Sequence, residues 1–168
     1  MMKLKFYITL ACLSLAIAGN TQKIGYLNSV KFIDTLQEAK LLADQLLQYE
    51  KSLSETGEKM ISKFQEDLKL YQKDQQAGTL TPTAQKQKES DLQVTQEAIV
   101  KYQESAKESL DKRRLELTKP LLDKISKAII EMGKEQGYMF IFDSSVGLLY
   151  QPEGEDISAK LMEKLNRM

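Results

Sequence analysis

The side chains with chemistry to offer form a restricted set: 24 Asp and Glu, 24 Lys and Arg, seven tyrosines, one cysteine, Cys12, and no histidine or tryptophan. Without histidine there is no Ser-His-Asp or Cys-His nucleophile system, and the commonest zinc ligand is missing; one cysteine makes no disulfide within the chain. No phosphate-cradling glycine loop, no G-x-S-x-G elbow and no metal-ligand spacing occurs. The carboxylates stand four residues from lysines instead: Glu55 and Lys59, Glu97 and Lys101, Glu108 and Lys112, Asp123 and Lys127. That is the spacing of ion pairs along a solvated helix, worth about 0.2–0.5 kcal/mol each, and not of an acid-base couple. Lys112-Arg113-Arg114 is the only basic cluster and reads first as a solvated helix face. With a formal net charge of zero the chain carries no footprint for nucleic acid. Residue types therefore predict no enzyme, no cofactor and no metal.

Those side chains need elements to carry them, and the first eighteen residues are set aside from that search. Lys3 and Lys5 form a positive n-region, Phe6 to Ala18 is an apolar run of thirteen residues, and Ala16-Ile17-Ala18 supplies the small residues of a cleavage site. The run is shorter than the roughly 20 residues of a membrane span. Residues 1–18 read as a cleaved secretory signal. Lipid attachment at Cys12 is the weaker reading, because only six apolar residues, Phe6 to Ala11, would precede it. The exported chain lacks cysteine and has a slight acidic excess.

A short strand starts at Lys23, with Ile24 and Tyr26 alternating against Gly25 and Leu27, and a turn at Asn28-Ser29 closes the segment 19–34. The period then becomes helical. Thr35 and Glu38 form a capping box that predicts a helix start at Thr35. Ala39, Leu42, Leu46, Tyr49, Leu53, Met60, Phe64, Leu68 and Tyr71 recur mostly at threes and fours, with Gly57 as the one gap. Residues 78–83, Gly-Thr-Leu-Thr-Pro-Thr, predict a hairpin tip, with Thr81 as cap and Pro82 at the first helical position. A second helix follows through Leu92, Ile99, Tyr102, Leu110, Leu121 and Met132, bent at Pro120 and closed by Gly137. Ile99, Leu110, Leu121 and Met132 are eleven apart, which keeps one stripe facing one way on a nearly straight helix. Segment 35–137 thus reads as one long antiparallel helical hairpin of roughly 60 to 80 Å.

From 138 to 168 the pattern is that of a small head. Tyr138-Met139-Phe140-Ile141-Phe142 reads as a strand, Leu148-Leu149-Tyr150 as its hairpin partner, and Asp156 as the cap of a last helix. A hairpin that returns to its origin predicts that the first two strands lie antiparallel. The fold class expected is α+β, mostly helical, with the hairpin set on an antiparallel β head. Three short strands leave open edges, and edges call for pairing with further copies. Ile24, Tyr26, Leu27, Phe140, Phe142, Leu148 and Tyr150 are the expected core and subunit interface of that head.

Lys23-Ile24-Gly25-Tyr26-Leu27-Asn28-Ser29, Lys124-Ile125, Ala128-Ile129, Gly137-Tyr138, Phe142-Asp143, Tyr150 and Asp156-Ile157-Ser158 together resemble the Skp/OmpH family of periplasmic chaperones. The resemblance implies a homotrimer whose strands combine into one β-body. Three helical arms would enclose a cavity that holds unfolded outer-membrane β-barrel proteins without ATP, in the periplasm. Two departures are visible. The balanced charge argues against a lipopolysaccharide or anionic membrane site, and Met139 stands where many members of that family carry an acidic residue. On the arm, Met60, Phe64, Leu68, Tyr71, Leu92, Ile99 and Tyr102 are the candidate client contacts, because adaptable apolar side chains suit a promiscuous surface. The competing reading is an exported coiled-coil scaffold or tether in the cell envelope with one defined partner.

Overall fold

The computed structural model describes residues 22–152 and 154–168, so the signal segment and Cys12 lie outside the described residues. The elements run β1 (Lys23–Leu27), α1 (Ser29–Thr35), α2 (Gln37–Gln76), α3 (Pro82–Gln136), β2 (Tyr138–Asp143) and α4 (Ser158–Asn166). The fold is α+β and mostly helical. It divides into a head, formed by the described residues up to Phe32 together with Lys124–Met168, and an arm, Ile33–Asp123.

In the arm, α2 has 40 residues and is about 60 Å long. The stripe residues Leu42, Leu46, Leu53, Met60, Phe64 and Leu68 are half-buried, as are Leu92, Ile99, Tyr102, Ala106 and Leu110 on α3, while Tyr71 and Leu121 are buried. Neither helix hides its stripe completely. At the tip Gly78 takes φ +66, a left-handed conformation that an L side chain resists, and the hydroxyl of Thr81 accepts the Ala84 N–H at 3.3 Å. Helix α3 has 55 residues and runs unbroken through Pro120. One expectation fails at the arm's base. The capping box predicts a start at Thr35, yet Thr35 ends the separate helix α1, and Leu36, extended at ψ 126, precedes α2. A separate start signal lies upstream, at the end of β1. Asn28 accepts the Lys31 N–H at 2.9 Å and Asp143 accepts the Ser29 N–H at 3.1 Å, so the chain coils as soon as β1 ends.

Gly57 marks a close approach between the two helices. A Cβ built there would lie 3.4 Å from the Tyr102 ring, whose hydroxyl donates to the Leu53 carbonyl at 2.8 Å. One methyl group fits and a branched side chain does not. Gly57→Ala is expected to raise stability by about 0.5–1 kcal/mol, because alanine loses less backbone entropy in a helix, whereas Gly57→Val should destabilise. Denaturant titration of both variants checks this, and a destabilising alanine would contradict it.

In the head, β1 and β2 pair in parallel, with Ile24 opposite Phe140, Gly25 opposite Ile141 and Tyr26 opposite Phe142. The antiparallel expectation is corrected, and helix length gives the reason. Helix α3 is about four turns longer than α2, and its last stretch, from Lys124 on, belongs to the head. Gly137, at φ +70, then reverses the chain and sends β2 back along that stretch. The pairing register slips between Lys23 and Ile24, whose partners are Tyr138 and Phe140. Met139 is therefore the extra residue of a β-bulge, without a partner of its own on β1.

The expected third strand is also corrected. Leu148-Leu149-Tyr150 forms no strand; the segment around Asp156 pairs with β1 instead, on the side away from β2. Tyr26 N–H donates to the Glu155 carbonyl at 3.1 Å, and Ile157 N–H to the Tyr26 carbonyl at 2.9 Å. That places β1 in the centre and β2 at an edge. Beneath the sheet, Leu27, Phe32, Ile125, Ala128, Met132, Ile157, Leu161 and Leu165 are buried, with Ala128, Met132, Ile157 and Leu161 at 0% exposure. Lys164 fastens α4 to the end of α3, 2.9 Å from Glu135 and 3.3 Å from Glu131, and these carboxylates, Glu135 first, raise its pKa.

Candidate functional site

Two surfaces stand out, and neither is a catalytic constellation. Among the described residues no cluster of Cys, Asp or Glu is placed to hold a metal ion, and no helix is long and apolar enough to cross a membrane. Arg113 and Arg114 lie on the helix surface 3.7 Å from Glu116 and 3.4 Å from Asp111. Two of the three side chains in the basic cluster are thus paired within their own helix. Glu55 meets Lys51 at 3.9 Å and Asp123 meets Lys119 at 3.0 Å, so these two acids pair with the lysine four residues before them and not with the one four residues after.

The first surface is the outer face of the sheet. Direct pairing in a parallel ladder puts Ile24 beside Phe140 and Tyr26 beside Phe142 on one face, and the Phe140 and Phe142 rings stack at 5.9 Å. Of the residues expected as head core, only Tyr26 and Leu27 are buried within the chain. Ile24, Phe140, Phe142, Leu148 and Tyr150 are 41%, 51%, 44%, 37% and 82% exposed. Within a single chain they are uncovered surface and not core. The Tyr26 hydroxyl still reaches the Pro152 carbonyl at 3.2 Å, which draws the loop after β2 toward this face.

At the end of β2, Asp143 ties that face to the start of α1. Its Oδ1 accepts from the Ser29 N–H at 3.1 Å, the Ser145 N–H at 2.9 Å and the Ser145 hydroxyl at 2.7 Å. These bonds, those from Ser29 foremost, hold the carboxyl well below the usual carboxylate range against a modest desolvation. A depressed pKa stabilises the fold above the unfolded value of about 4, and that contribution is lost as pH falls further. Asp143→Ala should cost about 0.5–1 kcal/mol at pH 7, the low side of the range for a cap because the carboxylate is largely solvated. The gap between wild type and variant should close as urea titrations move from pH 5 to pH 2; a constant gap would show that the charge plays no part.

The second surface is the arm. Met60, Phe64, Leu68, Leu92, Ile99 and Tyr102 each keep part of their surface open beside the seam, while Tyr71 is buried and engaged. Its hydroxyl donates to Glu89 at 2.6 Å and accepts from Gln75 at 3.3 Å, and Gln85 donates to Glu89 at 3.0 Å. The bond to Glu89 raises the Tyr71 pKa, and the bonds from Tyr71 and then Gln85 lower that of Glu89. Lys88 bridges to Asp74 at 2.6 Å. The polar stretch near the tip is thus closed by hydrogen bonds where apolar contacts run out. Residue types alone do not announce this network, since Tyr71 and Glu89 are 18 residues apart and meet only through the hairpin. Outside the seam Leu70, Val94, Val100 and Leu115 are at least half exposed, and their positions off the stripe concealed them from the periodicity.

The chain thus combines a two-helix arm and a small edge-open sheet, each with apolar surface uncovered within the single chain. The chain belongs to the family described as outer membrane protein (OmpH-like), whose model matches residues 23–165. It is similar, at 12% identity and a TM-score of 0.75, to a crystal structure of a candidate outer membrane chaperone (OmpH-like) from Caulobacter crescentus CB15, over 90% of this chain and 88% of that one. An uncharacterised protein of Aquifex aeolicus (strain VF5) is 24% identical over 132 residues, 79% of this chain and 80% of its own length.

Proposed function

We propose that this protein is an ATP-independent holdase of the periplasm, exported by its N-terminal signal, that keeps unfolded outer-membrane β-barrel proteins soluble until delivery. It works as a homotrimer joined through the sheet faces and edges, and clients lie between the arms against Met60, Phe64, Leu68, Leu92, Ile99 and Tyr102. The observation that carries the reading is the arm's apolar surface: its seam residues are only half-buried, and Leu70, Val94, Val100 and Leu115 lie open beyond the seam. That apolar surface is available to a client along the length of the arm. Many weak apolar contacts spread along about 60 Å suit a client that offers no fixed hot spot. No covalent step is needed.

The test is to dilute several unrelated denatured outer-membrane barrel proteins, without nucleotide, into buffer containing the purified chain and to follow turbidity. Suppression for all of them at near-stoichiometric chain supports the holdase. Protection of a single one, or of none, would favour a scaffold with one defined partner.

A further inference from the structure

Near the arm tip a cleft of about 260 Å³ opens between α2 and α3, lined by Asp67, Leu70, Tyr71, Lys88, Asp91 and Leu92. This is below the range of roughly 300–1,000 Å³ usual for small-molecule pockets and suits one long side chain. Each helix contributes one leucine and one aspartate to the wall, and the Tyr71 ring lies among them, fixed by its hydroxyl bond to Glu89. The only cation in the lining, Lys88, is already committed to Asp74 at 2.6 Å. Asp91 accepts from Gln87 at 2.8 Å, an amide that leaves its charge uncompensated. The cleft therefore joins apolar surface and an aromatic ring to a negative rim.

We propose that this cleft takes a single cationic side chain, arginine or lysine, from a bound unfolded chain. Its carbon stem lies on Leu70 and Leu92, and its charged head sits beside Asp67 and Asp91 and against the Tyr71 ring. Charge complementarity selects the occupant, since a carboxylate would meet two of its own sign and a purely apolar group would strip water from both aspartates. Long cationic side chains divide in this way, stem on apolar surface and head toward charge, and a cation on an aromatic face gains further. The inference rests on the holdase reading and adds to it a preference for cationic positions in the client.

The test uses the full-length chain and two fluorescent unstructured peptides that differ only in arginine against glutamine at two positions, with affinity read by anisotropy. The arginine peptide should bind about three- to tenfold more tightly, and the double substitution Asp67→Asn with Asp91→Asn should erase that preference while leaving the glutamine peptide unchanged. A second variant, Glu104→Gln with Glu108→Gln, makes the same change in net charge elsewhere on the arm and should keep the preference. Equal binding of the two peptides, survival of the preference without Asp67 and Asp91, or its equal loss in the second variant would each overturn the cleft. The holdase reading fails separately, if the wild-type chain protects no denatured barrel protein.

Discussion

Gly25→Ala is expected to destabilise the head by about 1–3 kcal/mol, a large loss for the addition of one methyl group. The glycine lies in the central strand, and a Cβ there would stand 2.8 Å from Ile157 Cγ2 and 2.9 Å from the Tyr138 ring. Neither neighbour can retreat at low cost. Ile157 is at 0% exposure and its N–H is bonded to the Tyr26 carbonyl at 2.9 Å. Tyr138 is held between two lysines: Lys23 Nζ lies 4.1 Å from its ring centre and also donates to the Gln136 carbonyl at 2.9 Å, and Lys160 donates to its hydroxyl at 3.0 Å. The glycine is thus required by space and not by backbone angle. The check is a double-mutant cycle in urea: with Ile157→Ala already made, the added cost of Gly25→Ala should fall by at least half. An undiminished cost would place the clash on the Tyr138 ring and not on Ile157.

The arm was largely legible from its sequence because it is built on local rules. Spacings of three and four gave both helices, and Gly78 through Pro82 gave the tip, since turn chemistry and helix starts depend on neighbouring residues. The head resisted because its geometry is non-local. Nothing near Lys23 tells that Asp156, more than 130 residues later, will pair with Tyr26, or that Leu148-Leu149-Tyr150, as apolar as any strand, will not. Parallel pairing is not legible from local pattern, because a helical hairpin alone predicts a return to its start and only the reversal at Gly137 after the longer α3 undoes that expectation. Helix α1 has no periodic signature, because seven residues with one buried side chain, Phe32, give too few points to define a period. The candidate site divides in the same way. Tyr71 and Leu92 stand out as stripe residues, but the cleft they share with Asp67 and Asp91 exists only once the two helices are set side by side.

Phe140→Asp combined with Phe142→Asp should convert the proposed trimer to a monomer while leaving its helices intact. The two rings stack on one face of the sheet and are 51% and 44% exposed in the single chain, so each has about half its surface left to bury against another copy. Burying a phenylalanine contributes roughly 1.5–3 kcal/mol in full, and every copy in a trimer would contribute both rings. Placing carboxylates there removes that gain and puts charge into a face where it would have to be desolvated. Edge position adds to the argument, because β2 has β1 on one side and no strand on the other among the described residues, and an open edge of this length recruits a partner. The single-chain core, built around Met132, Ile157 and Leu161, includes neither ring, so circular dichroism should be unchanged at moderate temperature. Multi-angle light scattering at micromolar concentration provides the measurement: three chain masses for the wild type and one for the variant. A monomeric wild type would remove the assembly and the enclosed cavity together. A variant that stays trimeric would move the interface off this face, to surfaces such as Leu149 and Val146, which are 101% and 79% exposed on the loop after β2.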